Sequence, residues 1–316
     1  MFSCKPSAEL ICRIVLAIGL LLSVAPSGAV ESALLVDDDG VTHQVLPASS
    51  RVVALGPNLV EVIYELGAGG QLVGVSAFAN FPAEAKVLPR VAAHNSVNYE
   101  MISALEPDLV VVWKTGFGEL VIDKLRSLGF KVYASEPETL EDIAGLMESL
   151  GAVVGHAESG AKSASVFRER VQKLASTYSQ QEAVSVFYQV WGEPMQTLNG
   201  DHVVSAVIEL CGGKNIFAEL PMKAPRIGVE AVVAANPDVI MASGPDGVRP
   251  EWLDDWRQWQ HLKAVRNDQL VFVDPDILVR HAPRILEGAG EVCRVLDGAR
   301  QQSSVTAVDG LARRAR

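Results

Sequence analysis

From Arg51 onward, short continuous apolar runs alternate with stretches of helical spacing. Arg51-Val-Val-Ala-Leu-Gly56 reads as a buried strand ending in a turn at Pro57-Asn58; Leu59 to Leu66 then has helical spacing and stops at Gly67. Val73-Gly-Val-Ser76 is a second strand, and Met101 to Leu105 is a short helix closed by Pro107. Asp108 to Trp113 is a continuous apolar strand, Leu120 to Leu128 a helix ending at Gly129, and Lys131 to Ala134 another strand. Apolar strands separated by helices predict a parallel α/β sheet covered on both faces.

The stretch from Leu140 to about Ser176 differs. It is long, free of proline and rich in Ala, Glu, Leu, Arg and Lys, so it reads as helix followed by long helix with a break near Gly151 to Gly155. The α/β pattern resumes at Val184 to Val190 and continues with strands at Val239 to Ala242 and Leu270 to Val273. The expected fold is two α/β lobes, residues 30–150 and 181–300, joined by a helical connector at 151–180. A tail from Gln301 to Arg316 has little to bury and is expected to fray.

The N-terminus belongs to neither lobe. Lys5 and Arg13 flank the start of an apolar run, Ile14 to Ala25, and Pro26-Ser27-Gly28-Ala29 follows it. Basic, apolar and small in that order predict a secretory signal peptide over residues 1–29, cleaved after Ala29. Cys4 and Cys12 precede the run, which places neither at a lipidation site after it. Removing 29 of 316 residues leaves 287, and no later stretch has 18 uninterrupted apolar residues. Since the leader carries Lys5, Arg13 and Glu9, its loss moves the net charge from −11 to −12. Such an acidic chain is ill suited to nucleic acid or to insertion at anionic membrane surfaces.

Cleavage leaves two cysteines, Cys211 and Cys293, which an oxidising compartment would allow to pair or which could stay as separate buried thiols. One internal repeat is specific. Asn98-Tyr-Glu100 through Pro107-Asp108 recurs as Gly228-Val-Glu230 through Pro237-Asp238, with the same seven-residue step from glutamate to proline. The repeat puts Glu100 and Glu230 at equivalent helix N-termini, where the helix dipole favours acids and where a two-fold partner could read both.

Taken together, Arg51-Val-Val-Ala-Leu-Gly-Pro-Asn58, Leu66-Gly-Ala-Gly69, Val73-Gly-Val75, Phe81-Pro-Ala-Glu-Ala85, Asn98-Tyr-Glu100 and Pro107-Asp-Leu-Val110 resemble the helical-backbone (class III) periplasmic binding proteins of ABC importers. Leu210-Cys-Gly-Gly-Lys-Asn-Ile-Phe217 and Arg280-His-Ala-Pro-Arg284 are most similar to the cobalamin-binding branch. The resemblance covers about residues 51–298. It implies two Rossmann-like lobes with parallel sheets, joined by one long rigid backbone helix, with the ligand in the cleft between them. It also implies a monomer that hands a corrinoid to an inner-membrane ABC permease dimer, with Glu100 and Glu230 as docking acids and Cys211–Cys293 as a disulfide. Phe78 matches an aromatic that lies against the corrin, and Asp276 and Arg280 match polar groups of the cleft.

Two departures bear on the ligand. His94 and Ala224 stand where the cobalamin relatives carry tryptophans, and Trp191, with Tyr188 beside it, is expected to restore an aromatic wall. His94 is also a candidate axial ligand to a metal, with His202 and His281 as further imidazoles, although their spacing carries no metal-site signature. Ala93 occupies the place of a haem-ligating tyrosine. A ferric siderophore is the alternative ligand, with Arg226, Arg280 and Arg284 as the cations it would need.

Nothing supports catalysis: there is no Gly-x-Ser-x-Gly elbow, phosphate-binding glycine loop or His-Glu-x-x-His pair, so an exported metal-dependent enzyme is disfavoured and no resident cofactor is expected. Trp252, Trp256 and Trp259 have near-helical spacing and read as one face packed on the second lobe.

Overall fold

A computed structural model describes residues 35–93, 96–244 and 247–314, with side chains described to residue 302. The expected signal peptide and His94 lie outside the described residues.

The first lobe begins with a two-stranded hairpin, β1 (Leu35–Val36) and β2 (Thr42–His43). The core strand β3 (Val52–Leu55) follows and leads at once into α1 (Pro57–Glu65). Pro57 and Asn58 thus form the first helical turn instead of a separate turn, because proline is pre-set for that position. Gly56 makes the junction. Its φ is 148°, and a Cβ there would lie 2.7 Å from Asn58 Oδ1 and 3.0 Å from Trp113 Cβ. Then come β4 (Leu72–Ser76), β5 (Arg90–Ala93), β6 (Ser96–Val97), α2 (Tyr99–Ala104), β7 (Leu109–Trp113), α3 (Lys114–Phe117), α4 (Glu119–Ser127) and β8 (Val132–Ser135). The sheet runs β6-β5-β4-β3-β7-β8, parallel except for β6.

Two packed helices link the lobes. α5 (Leu140–Val153) starts with a capping box between Thr139 and Asp142, and α6 spans Ala157–Tyr178. At 22 residues α6 is roughly 33 Å long. The two helices approach so closely that a Cβ on Gly160 would meet Met147 O at 2.5 Å.

The second lobe contains β9 (Val184–Trp191), β10 (Gln196–Thr197), α7 (Val203–Leu210), β11 (Gly213–Asn215), α8 (Val229–Ala235), β12 (Val239–Ala242), α9 (Glu251–Asp254), α10 (Lys263–Arg266), β13 (Leu270–Phe272), α11 (Pro275–Leu278) and α12 (Ile285–Arg314). Its sheet runs β10-β9-β12-β13, with β11 also on β9 and only β10 antiparallel. Residues 301–314, within the expected tail, continue α12 as helix to Arg314.

Three apolar clusters account for the burial. One covers the outer face of the first sheet, where Val53, Val110 and Val112 meet Ile102, Ile122 and Leu125. A second covers the outer face of the second sheet, with Phe187, Ile240 and Trp256 at its centre. The largest runs without interruption from Val52, Val111 and α1, through α5 and α6, to Val186, Met241, α7 and α12. Within it Cys211 and Cys293 form a disulfide that closes a sequence separation of 82 residues.

Candidate ligand cleft between the lobes

In open parallel sheets, ligands bind beyond the carboxyl ends of the strands. Here those ends face each other. The loop after β4, residues 77–82, meets the segment after β13 through three side chains. Asn80 Nδ2 donates to Asp276 at 2.7 Å, Arg280 donates to Asn80 Oδ1 at 2.7 Å, and Arg280 also donates to the carbonyl oxygen of Phe78 at 3.1 Å. Farther along the same seam Lys223 is joined to Glu138.

Beneath this contact lies an ion network. Glu61, on α1, receives Arg280 at 2.8 Å and Arg284 at 3.0 Å, and its side chain is 2% exposed. The Arg284 guanidinium stands 3.8 Å over the Phe81 ring, a cation–π contact across the lobes. An exposed carboxylate would gain little from such pairs, but one this buried depends on them.

Besides Phe81, two large aromatic side chains remain open near the strand ends. Phe78 is 59% exposed and Trp191 is 48% exposed. Phe78 sits at φ 63°, a left-handed conformation unusual for a residue of its size. The hydrogen bonds of Arg280 and Asn80 hold that loop in place. Trp191 closes β9, with its Nε1 donating to Glu193 O at 3.0 Å.

Tyr188 is a correction. It is 0% exposed and belongs to the central apolar cluster, so it offers no wall to a ligand. β9 is covered on both faces, and Phe187 and Tyr188 are therefore both interior. Asp276 and Arg280 are both at the seam, bonded to each other at 2.5 Å and to the first lobe. Glu100 and Glu230 are exposed in the first turns of α2 and α8, with Asn98 capping α2.

Two seam residues, Trp113 and Asn58, escaped the sequence reading as cleft groups, and His202 and His281 entered it only as further imidazoles without a metal-site spacing. Trp113, at the carboxyl end of β7, has its ring 6.2 Å from that of His281, and His281 lies 5.8 Å from His202. Asn58 is 2% exposed and neither of its amide atoms has a partner. An aromatic terminating a buried strand was the available signal for Trp113; the histidines gave none. Burial pushes both imidazoles down to about 4; the neighbouring His281 and Lys223 add to this for His202, and Lys223 adds to it for His281. Both rings are neutral at ordinary pH. Among the described residues no group of three or more His, Cys, Asp or Glu side chains is arranged to hold a metal ion.

A family model described as periplasmic binding protein matches residues 52–277. The Vitamin B12-binding protein of Vibrio cholerae is 38% identical over 255 residues, covering 80% of this chain and 91% of that protein. Its counterpart in Yersinia pestis is 34% identical over 251 residues, or 78% and 86% of the two chains. The crystal structure of the periplasmic vitamin B12 binding protein BtuF of Vibrio cholerae matches with a TM-score of 0.72 at 38% identity, covering 79% of this chain and 98% of that one. The periplasmic heme-binding protein RhuT from Roseiflexus sp. RS-1 matches at 0.71 over 79% and 98%, but at 21% identity, a likeness of fold alone. The matched segment takes in both central sheets and the linking helices, and the chain belongs to the periplasmic binding protein family.

Proposed function

We propose that this chain is exported to the periplasm, captures a corrinoid between its lobes and delivers it to an ABC importer, with no catalytic role. The similarity to proteins named for vitamin B12 binding, at 38% identity across 80% of the chain, carries this reading. The cleft supports it: two exposed aromatics, Phe78 and Trp191, border a seam that also presents polar groups. A flat, amide-rimmed ligand needs that combination of apolar faces and hydrogen-bonding groups. Asp276 and Arg280 contribute to the polar side, and His94 is retained as a contact on the strength of its position alone. Glu100 and Glu230 serve as the two acids that meet the permease halves, and residues 1–29 as the leader for export.

The siderophore alternative loses ground at the seam. Arg280 and Arg284 spend their charge on Glu61, which leaves Arg226 as the exposed member of the three. Isothermal titration with cyanocobalamin tests the proposal: saturable one-to-one binding is expected, and the absence of heat and of spectral change would refute it.

A further inference from the structure

His202 and His281 are brought together by the fold in a way their sequence positions do not suggest, and their hydrogen bonding decides what they can do. His202 is the N-cap of α7, and its Nδ1 accepts the Val204 N–H at 3.2 Å. A neutral ring that accepts at Nδ1 carries its proton on Nε2. In His281, Nδ1 is fully enclosed and has no partner, whereas Nε2 is not enclosed. A proton on Nδ1 would be a buried donor with nothing to bond, so the proton belongs on Nε2 as well. Neither ring then offers a free lone pair with the second-nitrogen support that metal ligands require.

We propose that His202 and His281 form a paired Nε2–H donor subsite in the cleft that receives an oxygen atom of the bound ligand. The inference rests on the corrinoid reading and names the part of the ligand that is recognised. The rings lie 5.8 Å apart in an edge-on arrangement, close enough to serve one oxygen-bearing group, with Trp113 against His281 as the apolar side of the subsite. Lys223 is tied to Glu138 nearby, so the closest cation is already offset and the subsite is built from uncharged donors. An uncharged pair suits a carbonyl oxygen of a peripheral carboxamide; the same chemistry would accept a phosphodiester oxygen. Both groups occur on cobalamin, and only the first on cobinamide.

The test uses the purified chain without a polyhistidine tag, titrated with cyanocobalamin and dicyanocobinamide. His202→Phe and His281→Phe remove the donor and keep the ring, whereas His202→Gln and His281→Gln keep an N–H near Nε2. Each Phe variant is expected to bind about 2- to 12-fold more weakly, the scale of one hydrogen bond, and each Gln variant to recover most of the loss. Weakening for both ligands assigns the carboxamide; weakening for cyanocobalamin alone assigns the phosphodiester. Unchanged affinity of both Phe variants for both ligands overturns the subsite and leaves the corrinoid reading intact. A wild-type chain that binds neither ligand overturns that reading and the subsite with it. Nitrogen NMR of the wild-type imidazoles supplies a readout free of mutation: both rings are expected as the Nε2–H tautomer, and an Nδ1–H tautomer at either one also overturns the proposal.

Discussion

Glu61 and Arg280 lie 219 residues apart in the chain, one in each lobe, and their side chains meet at 2.8 Å. Arg284 binds the same carboxylate through two further hydrogen bonds of 3.0 Å. Replacing Glu61 by Gln would leave two largely buried guanidiniums facing a neutral amide. Breaking a buried pair from one side typically costs about 3–5 kcal/mol. Urea unfolding of Glu61→Gln should show a loss on that scale; a change below about 1 kcal/mol would mean that the network contributes little.

The Cys211–Cys293 bridge closes a loop of 82 residues that ties α7 to α12. In the chain-entropy picture a loop of that length stabilises by roughly 4 kcal/mol. Paired substitution by Ala is expected to lower the unfolding free energy accordingly. An unchanged denaturation midpoint would argue against the entropic account.

Stability should depend on pH through His202 and His281. In the unfolded chain these imidazoles protonate near pH 6.5, whereas in the fold burial delays protonation to about 4. The unfolded state therefore holds more protons between those values. Stability is complete above pH 6.5 and falls as the pH drops toward 4, by on the order of 3 kcal/mol for each ring taken alone. Thermal melts of a His202→Gln/His281→Gln double variant should vary less over this range than those of the wild type. An equal slope would assign the dependence to other groups.

Ligand binding separates the exposed aromatics from the buried one. Phe78→Ala and Trp191→Ala should each weaken cyanocobalamin binding by about tenfold or more, as expected for large contact side chains. Tyr188→Phe should leave the affinity unchanged, because that ring is interior. A cleft contact by Tyr188 would show as the opposite result in titration.

Glu100 and Glu230 are exposed and belong to repeated segments. Changing both to Arg should leave ligand affinity within about twofold and reduce uptake by cells or reconstituted vesicles at least tenfold, since like charges at a docking rim repel. Full uptake by the double variant would remove them from the docking surface.

Much of the fold was legible because parallel strands covered on both faces are continuous apolar runs, as Leu109 to Trp113 and Val239 to Ala242 are. The repeat marked α2 and α8 without any structural input. That same double burial misled the reading of Tyr188: in a strand with no solvent face, alternation cannot separate a wall residue from a core residue. Glu61 was invisible for a different reason. A carboxylate within a helical run reads as solvent-facing until the partner that neutralises it is known, and that partner is in the other lobe. The histidine pair depends likewise on a long-range approach of two loops. The end of α12 was hard to read because Arg300, the last residue assigned to the second lobe, is buried and hydrogen-bonds Glu182 O and Cys211 O in a sequence with few apolar residues.

Arg280 touches Glu61, Asn80 and the Phe78 carbonyl at once, which ties the Phe78 loop and the contact between the lobes into a single mechanical unit. Pulling the lobes apart far enough to detach Arg280 from Glu61 also releases the backbone that presents Phe78. On the proposed function, a partner able to pry the molecule open would disturb the Phe78 side of the cleft in the same stroke.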